Sequence, residues 1–129
     1  MAIPAEIKQG EIYWVEIRKE ETVGAEQYKR RPYIVVSRTA VNKKLSTVMA
    51  VPLSTVVDLS RPGPPFRVVI PPQEITKDLS FQGDLKISVA KIDQARVVDK
   101  SRLERRMGTL SQTACSAVGL GFSYLLDLR

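Results

Sequence analysis

One short stretch, Lys-Arg-Arg-Pro-Tyr-Ile-Val-Val-Ser from Lys29 to Ser37, constrains the fold of this chain most strongly. Residues 33–36 form a continuous run of aromatic and β-branched side chains. Such a run predicts a central strand over 33–38 that is buried on both faces. Pro32 fits the first position of that strand, because no ladder donor is needed there. Arg31 would then stand at the entrance of the strand.

The guanidinium of Arg31 is the first candidate for a functional group. Held at a rigid strand entrance, it can bind a phosphate through two parallel hydrogen bonds. The alternative, which composition alone favours, is a solvated basic turn beside a core strand. The chain has 20 Lys and Arg against 14 Asp and Glu, a formal net charge of +6. That charge indicates attraction to polyanions without identifying a site.

Absent residue types narrow the possible chemistry. The chain contains no histidine, which excludes histidine metal sites, Ser-His-Asp triads and histidine acid–base catalysis. A single cysteine, Cys115, excludes an internal disulfide. No apolar run approaches the ~20 residues that span a bilayer, and the N-terminus lacks the form of a signal peptide. We therefore expect one cytoplasmic domain over residues 1–129, with no membrane contact.

The remaining patterns predict further strands, one bend and one terminal helix. Strands are predicted over 10–17, 47–53 and 66–70, with Pro52 ending the second at an edge or a bulge, and loops over 18–29 and 71–83. A basic turn or one-turn helix is predicted at 41–45. The long strand over 85–98 slips in its alternation, which predicts a bulge or a sharp bend.

A capped turn at 99–103 and an ambiguous segment at 104–110 precede the predicted terminal helix. Ser111 is its predicted N-cap, and the helix runs to about Leu128. Its apolar face comprises Ala114, Val118, Phe122, Leu125 and Leu126. We expect this face to pack on the sheet, or partly on a second subunit.

Several motifs then occur in a specific order. They are Gly10-Glu11-Ile12-Tyr13-Trp14, Gly24-Ala25-Glu26, Arg31-Pro32 before the Val-rich strand, Val51-Pro52-Leu53-Ser54, Ile-Asp-Gln-Ala-Arg-Val-Val-Asp-Lys-Ser-Arg-Leu over residues 92–103, and Gly108-Thr109-Leu110-Ser111. From about Lys8 to Leu128, this order resembles the MazF/PemK family of toxin endoribonucleases from bacterial toxin–antitoxin modules. The segment 92–103 is the most specific part of the resemblance.

The resemblance implies a fold, an activity and partners. The implied fold is mainly β (α+β), a small curled antiparallel SH3-like barrel with a C-terminal helix packed on it, usually in a homodimer. Family members cut single-stranded RNA at short sequences, without a metal or cofactor, and leave a 2′,3′-cyclic phosphate and a 5′-hydroxyl. This cleavage inhibits translation and growth. A cognate antitoxin blocks the site with a flexible tail, which we expect to be acidic because the chain is basic.

The resemblance also assigns catalytic residues. The family's arginine falls on Arg31, and its threonine falls on Ser54, which keeps the hydroxyl, while Thr55 follows at once. Arg31 would stabilise the phosphorane, and Ser54 or Thr55 would donate a hydrogen bond to it. The family's Gly-Ser-Glu is Gly-Ala-Glu here, so its carboxylate falls on Glu26. Glu26 would accept the 2′-hydroxyl proton or position its loop, the alternative being a solvated loop carboxylate.

Binding residues follow from charge and aromatic character. The expected phosphate contacts are Lys29, Arg30, Arg38, Lys43 and Lys44, although each alone is also an ordinary solubility charge. Tyr28 would stack on a base, whereas Tyr13 and Trp14 are expected in the core. Asp93 and Arg96 are interpreted as scaffold, pairing with each other or holding turns near the site.

Two other classes of protein remain open at this point. One is a non-enzymatic toxin resembling the CcdB gyrase poisons, which share the fold but lack the Arg-Pro and Pro-Leu-Ser/Thr pairing. The other is a plain SH3-like nucleic-acid-binding module. Gyrase inhibition without RNA cleavage favours the first, and salt-sensitive binding without product favours the second. The fold alone does not choose among the three.

Overall fold

A computed structural model describes residues 6–18, 29–55 and 63–128 of the chain. The strands are β1 (Glu11–Ile17), β2 (Lys29–Val35), β3 (Thr47–Thr55), β4 (Arg67–Ile70), β5 (Ile75–Lys77), β6 (Ser88–Lys91), β7 (Arg96–Asp99) and β8 (Arg106–Leu110). The helices are α1 (Thr39–Lys44) and α2 (Gln112–Leu125), and short 3-10 turns occupy Pro72–Glu74, Ile92–Gln94 and Lys100–Arg102. In the described ranges, no helix is long and apolar enough to cross a membrane.

The strands form one curled antiparallel sheet with the order β4-β6-β3-β2-β1-β8-β5. β7 joins it by pairing with the first half of β3, whereas β6 pairs with the last residues of β3. One long strand that changes partners in this way curls the sheet into a half-barrel. The predicted mainly β fold with a C-terminal helix is therefore confirmed.

The sheet buries apolar side chains on both of its faces. Ile34 of β2 belongs to a cluster that includes Val118 of α2, while Tyr33 and Val35 belong to a second cluster on the other face. Because successive strand residues point to opposite faces, the buried apolar residues of β1, β2 and β3 alternate between the two clusters. The prediction of a central strand buried on both faces is confirmed for residues 33–35.

β2 begins four residues earlier than predicted, so Arg31 and Pro32 lie inside the strand rather than at its entrance. Pro32 stands opposite Trp14 of β1. The amide of Val36 donates to β3, so backbone alternation points the nitrogen of Pro32 toward β3 as well. The β2–β3 ladder ends at Tyr33, because Pro32 has no N–H to donate to β3, while the pairing of β2 with β1 continues.

Pro52 also lies within a strand, where an edge or a bulge was predicted. β3 pairs with β7 up to Ala50 and with β6 from Leu53 onward, and the 3-10 turn Ile92–Gln94 separates these two partners. The alternation of β3 points the nitrogen of Pro52 toward this gap. The missing N–H therefore coincides with the one interruption of the ladder on that side.

The C-terminal half follows the sequence patterns closely. The predicted slip at 85–98 is the change from β6 through the 3-10 turn to β7, and Asp99 caps the next turn by accepting from the Ser101 amide at 2.9 Å. The ambiguous segment 104–110 contains β8, which pairs with β1. The predicted loop at 71–83 is wrong in part, because it contains β5. β5 is only three residues long, too short for a period-2 pattern to reveal it.

The terminal helix begins where predicted, with Ser111 accepting from the Ala114 amide at 3.0 Å, and ends at Leu125. The first part of its apolar face is buried on the sheet through Ala114 and Val118. The last part is exposed, since Leu126 keeps 58% of its surface accessible. Packing on the sheet is thus confirmed as far as Phe122, which is partly buried against the same cluster, and not for Leu126.

Candidate active site

Two of the predicted catalytic side chains meet on one face of the sheet. The β2–β3 register places Tyr33 opposite Pro52, and its continuation places Arg31 opposite Ser54. Nη1 of Arg31 donates to Oγ of Ser54 at 3.4 Å, and both residues are half-buried. This distance is long for a hydrogen bond, so the contact restrains the guanidinium only weakly. A guanidinium beside a hydroxyl offers two kinds of donor to a bound anion.

Thr55 is separated from this pair by the strand alternation. It is exposed and lines a cavity on the opposite face of the sheet together with Trp14 and Leu53. Of the two hydroxyls that the sequence offers, the structure therefore brings Ser54, not Thr55, to Arg31. The local cause is that β3 stays regular through residue 55, so consecutive side chains must diverge.

Further positive charge gathers around Arg31. Lys91 of β6 has a lowered pKa, chiefly because it is partly buried, and further because Arg67 and Arg31 lie close to it, while Asp93 opposes the shift. The pKa of Tyr33 is raised by burial, against the opposing fields of Arg96 and Arg31. These fields make the surroundings of the Arg31–Ser54 pair electropositive, which favours a bound anion.

The hydroxyl of Tyr33 is itself unusual. It is buried and has no hydrogen-bond partner in the part of the chain that the structure describes. A buried hydroxyl without a partner costs roughly 1–3 kcal/mol, so such groups are rare. Tyr33 shares its face of β2 with Arg31.

Of the two roles predicted for Asp93, pairing with Arg96 or holding a turn, the structure has the second, with Arg67 as the partner. Its carboxylate accepts from Nε of Arg67 at 2.6 Å and from Nη2 at 2.7 Å, a two-pronged contact between β4 and the 3-10 turn after β6. The expected pairing of Asp93 with Arg96 is not what the structure has. The 3-10 turn carries Asp93 toward β4, whereas Arg96 resumes the ladder opposite Ala50. The Arg67 contact lowers the pKa of Asp93 and keeps this carboxylate ionised.

The cavity on the opposite face, here called the Trp14 pocket, has a volume of about 260 Å³. Its lining comprises Trp14, Arg30, Arg31, Pro32, Leu53, Thr55, Ile75, Phe81, Asp84, Leu85, Lys86, Ser88 and Met107. Trp14 was expected in the core but is only half-buried, whereas Tyr13 is fully buried as expected. The pocket combines aromatic rings with cationic and hydroxyl groups, the surface that an RNA base requires.

The predicted binding residues fall into three groups. Lys29 and Arg30 open β2 beside Arg31, and Arg30 forms an ion pair with Glu104 at 2.7 Å. The other three cations, Arg38, Lys43 and Lys44, lie in or next to α1. α1 precedes the far end of β3, and the seven residue steps from Thr47 to Ser54 span roughly 23 Å. The structure therefore does not bring this second group to Arg31. Tyr28, the third group, lies outside the described residues, as does the catalytic candidate Glu26.

Sequence reasoning named Arg96 only as scaffold near the site and missed Lys91, Phe81 and Lys86. Lys91 and Arg96 approach Arg31 only because of the bend between β6 and β7. Phe81 and Lys86 reach the Trp14 pocket from a connection without regular structure. The alternation of β1 did hold a signal for Trp14, because it sets that residue on the face opposite Tyr13 and Val15. Nothing in the local sequence indicated the positions of the other four.

Comparison with known proteins places these observations in context. A model of the family described as PemK-like, MazF-like toxin of type II toxin–antitoxin system matches residues 8–126. No curated protein matches the chain closely enough in sequence to count as a relative.

Several solved structures share the fold. MazF from Deinococcus radiodurans superposes with a TM-score of 0.70 at 23% identity, covering 95% of this chain and 97% of that one. An endoribonuclease in complex with its cognate antitoxin from a mycobacterial species gives 0.68 at 20% identity, covering 95% and 97%. The Mycobacterium tuberculosis toxin MazF-mt6 gives 0.66 at 20% identity, covering 92% and 98%. At such identities the likeness establishes the fold.

Proposed function

This chain belongs to the PemK-like, MazF-like toxins of type II toxin–antitoxin systems, and on that premise we propose that it is an endoribonuclease that cleaves single-stranded RNA without a metal or cofactor. The 2′-hydroxyl attacks the adjacent phosphorus and the bond to the 5′-oxygen breaks. The products are a 2′,3′-cyclic phosphate and a 5′-hydroxyl. The observation that carries the proposal is the Arg31–Ser54 contact of 3.4 Å within an electropositive surrounding. Cleavage of messenger RNA in the cytoplasm then stops translation and growth.

Each side chain has one role in this reaction. Arg31 grips two oxygens of the phosphorane, whose charge grows as the nucleophile attacks. Ser54 donates its hydroxyl hydrogen to another of those oxygens. Glu26 is the proposed acceptor of the 2′-hydroxyl proton. Lys91 and Arg96 add positive potential without needing to touch the reacting atoms.

The RNA backbone would extend from this centre along the basic residues. Lys29 and Arg30 are the proposed contacts for the phosphates next to the cleaved bond. Arg38, Lys43 and Lys44 would meet the backbone several nucleotides away, given the roughly 23 Å between the ends of β3. Tyr28 remains the proposed stacking residue of the preceding segment. Binding should therefore weaken steeply as salt rises.

The test of the activity is incubation of the purified protein with a long, structure-poor RNA in EDTA, followed by mapping of the new 5′ ends. Cuts at a recurring short sequence, with cyclic phosphate ends, are expected. Gyrase inhibition with intact RNA would favour a CcdB-like poison instead. Salt-sensitive RNA binding without any product would favour a plain SH3-like binding module.

We propose that a cognate antitoxin neutralises the toxin by laying an acidic, flexible tail over the basic surface around Arg31. Solved structures of similar fold include MazE–MazF complexes from Deinococcus radiodurans. The net charge of +6 favours such a tail, and folding upon binding lets a short segment cover a large surface. Full inhibition by an antitoxin whose acidic tail has been deleted would contradict this proposal.

We also propose that the toxin is a homodimer. The end of α2 leaves apolar side chains accessible, including Tyr124 at 60% and Leu128 at 59%, and such surface usually marks an interface. Light scattering at micromolar concentration should give twice the chain mass of 14.4 kDa. A monomer under those conditions would refute the proposal.

A further inference from the structure

The Trp14 pocket shares Arg30 and Arg31 with the proposed active site, whereas Trp14, Leu53 and Thr55 of its lining lie on the sheet face opposite Ser54. These last side chains have no role in the reaction described above. We propose that the pocket binds a single nucleobase of the RNA next to the cleaved bond and so contributes to sequence selection. This inference rests on the proposed function, because it takes RNA as the ligand. It adds the pocket, its occupant and the residues that hold that occupant.

The first argument is the pair of flat surfaces that line the pocket. The guanidinium of Arg30 lies 4.6 Å from the centroid of the Trp14 ring, and Glu104 holds it there with a 2.7 Å hydrogen bond to Nε. Two contacts thus fix the plane of a side chain that is otherwise half exposed. Bases stack on aromatic rings and on arginine planes in the same way, because both present a flat polarisable face.

The second argument comes from the ring of Phe81. Nζ of Lys77 lies 5.6 Å from its centroid and donates to the carbonyl of Gly83 at 3.0 Å, so the connection that carries Phe81 is tied to β5. A cationic side chain therefore lies over each aromatic ring of the pocket, Arg30 over Trp14 and Lys77 over Phe81. An approaching nucleotide meets aromatic surface for its base and positive charge for its phosphate, a combination that a purely apolar ligand would not need.

The third argument is the size and polarity of the cavity. Its volume of about 260 Å³ lies below the roughly 300–1,000 Å³ of drug-sized pockets, which suits one base rather than a longer segment. Thr55 and Ser88 bring hydroxyls, Lys86 brings a donor and Asp84 an acceptor. Groups of both kinds are what hydrogen bonding to a base edge requires.

The fourth argument is proximity to the reacting phosphate. Arg30 and Arg31 are consecutive in β2, as are Ser54 and Thr55 in β3, and each pair points one side chain to each face of the sheet. Their Cα atoms are about 3.8 Å apart. An RNA strand that passes over this end of the sheet places a phosphate at Arg31 and the neighbouring base in the pocket.

Trp14 is the only tryptophan of the chain, so its fluorescence reports on the pocket alone. The full chain is titrated with a short single-stranded RNA made uncleavable by 2′-O-methyl groups. We expect saturable quenching of Trp14 and protection of Trp14 from acrylamide. Phe81→Leu should weaken binding roughly 5- to 150-fold, the effect of one lost base stack. Leu79→Ala, a fully exposed control in the same connection, should bind as the wild type does.

The outcomes separate this inference from the function on which it rests. Cleavage of RNA by the wild type with unchanged Trp14 emission and unchanged acrylamide access would overturn the pocket and leave the nuclease intact. Saturable quenching that Phe81→Leu weakens, without any cyclic phosphate from natural RNA, would support the pocket and refute the nuclease. Quenching by a short acidic peptide without tryptophan, but not by the RNA, would also overturn the inference, since the occupant would be an antitoxin segment. The acrylamide measurement needs no variant, so it decides even if Phe81→Leu does not fold.

Discussion

Replacement of Ser54 by alanine tests the assignment of the working hydroxyl. The sequence offers Ser54 and Thr55 side by side, and the structure turns only Ser54 toward Arg31, at 3.4 Å from Nη1. Ser54→Ala removes the proposed hydrogen bond to the phosphorane while leaving Arg31 in place. Ser54→Thr restores a hydroxyl at the same position, and Thr55→Ala is the matched control on the other face of the strand.

The size of the effect follows from the geometry. Loss of one donor to a developing oxyanion typically slows a reaction by roughly 10²–10³, or about 2.7–4 kcal/mol in the barrier. In the unbound protein the same hydroxyl accepts one long hydrogen bond, so its removal should cost no more than about 1 kcal/mol of folding stability. Ser54→Ala should therefore lose activity and keep its fold. With the protein at saturating concentration, so that weaker binding in the Trp14 pocket does not enter the rate, Thr55→Ala should change the chemical step less than about fivefold, equivalent to 1 kcal/mol.

The assay is single-turnover cleavage of a short RNA, with circular dichroism to verify folding. Ser54→Thr should recover most of the lost rate, which a purely structural role in packing would not predict because the added methyl group changes the volume. Equal rates for folded Ser54→Ala and wild type would refute the assignment. A larger loss of cleavage rate in Thr55→Ala than in Ser54→Ala would show that Thr55, not Ser54, supplies the working hydroxyl.

Two further predictions concern the scaffold. Gly108→Ala should lower the free energy of unfolding by roughly 1–3 kcal/mol, because its Cβ would lie 2.5 Å from the Thr76 carbonyl oxygen. Gly119→Ala has open space around its Cβ and should stabilise α2 by about 0.5–1 kcal/mol. Similar melting temperatures for the two variants in thermal unfolding would contradict this. The carboxylate of Asp93 has a pKa held below its unfolded value of about 3.9 by Arg67, so the pair stabilises the fold above that pH and loses its effect as pH falls through the folded pKa. Asp93→Asn should therefore have a free energy of unfolding about 0.5–1 kcal/mol lower than the wild type at pH 7, after allowance for solvent screening, and a correspondingly lower melting temperature. The difference should vanish in acid, and a pH-independent difference would refute the ion-pair explanation.

Much of the fold could be predicted because local signals and packing agree. The aromatic and β-branched residues of β1 are buried or half-buried, as their residue types predict. Ser111 caps α2, as its sequence indicates. The predicted start of β2 was wrong, because Pro32 ends the ladder only on the side toward β3, while β2 stays paired with β1 as far as Lys29. At Pro52 the partner of β3 changes from β7 to β6, so no ladder residue lies opposite its nitrogen, and only the sheet order reveals this.

The site was predictable in part for a related reason. Arg31 and Ser54 come together because β2 and β3 are adjacent, which the order of motifs implied. The surrounding charges of Lys91 and Arg96 depend on a bend between two later strands, and the partner of Asp93 depends on the same bend. Trp14 looked like a core residue because a large aromatic on a strand usually is one. Here the residue lies at the open end of the sheet, where the core gives way to a pocket.

The central claim is tested most directly by the chemical step in Arg31 variants. Wild type, Arg31→Ala and Arg31→Lys are compared in single-turnover cleavage of one short RNA in EDTA, with the cyclic phosphate as the measured product. We expect product from the wild type, none from folded Arg31→Ala, and little from Arg31→Lys, because one ammonium cannot grip two phosphate oxygens. Cleavage by folded Arg31→Ala at a rate near that of the wild type would contradict the account and place the active centre elsewhere.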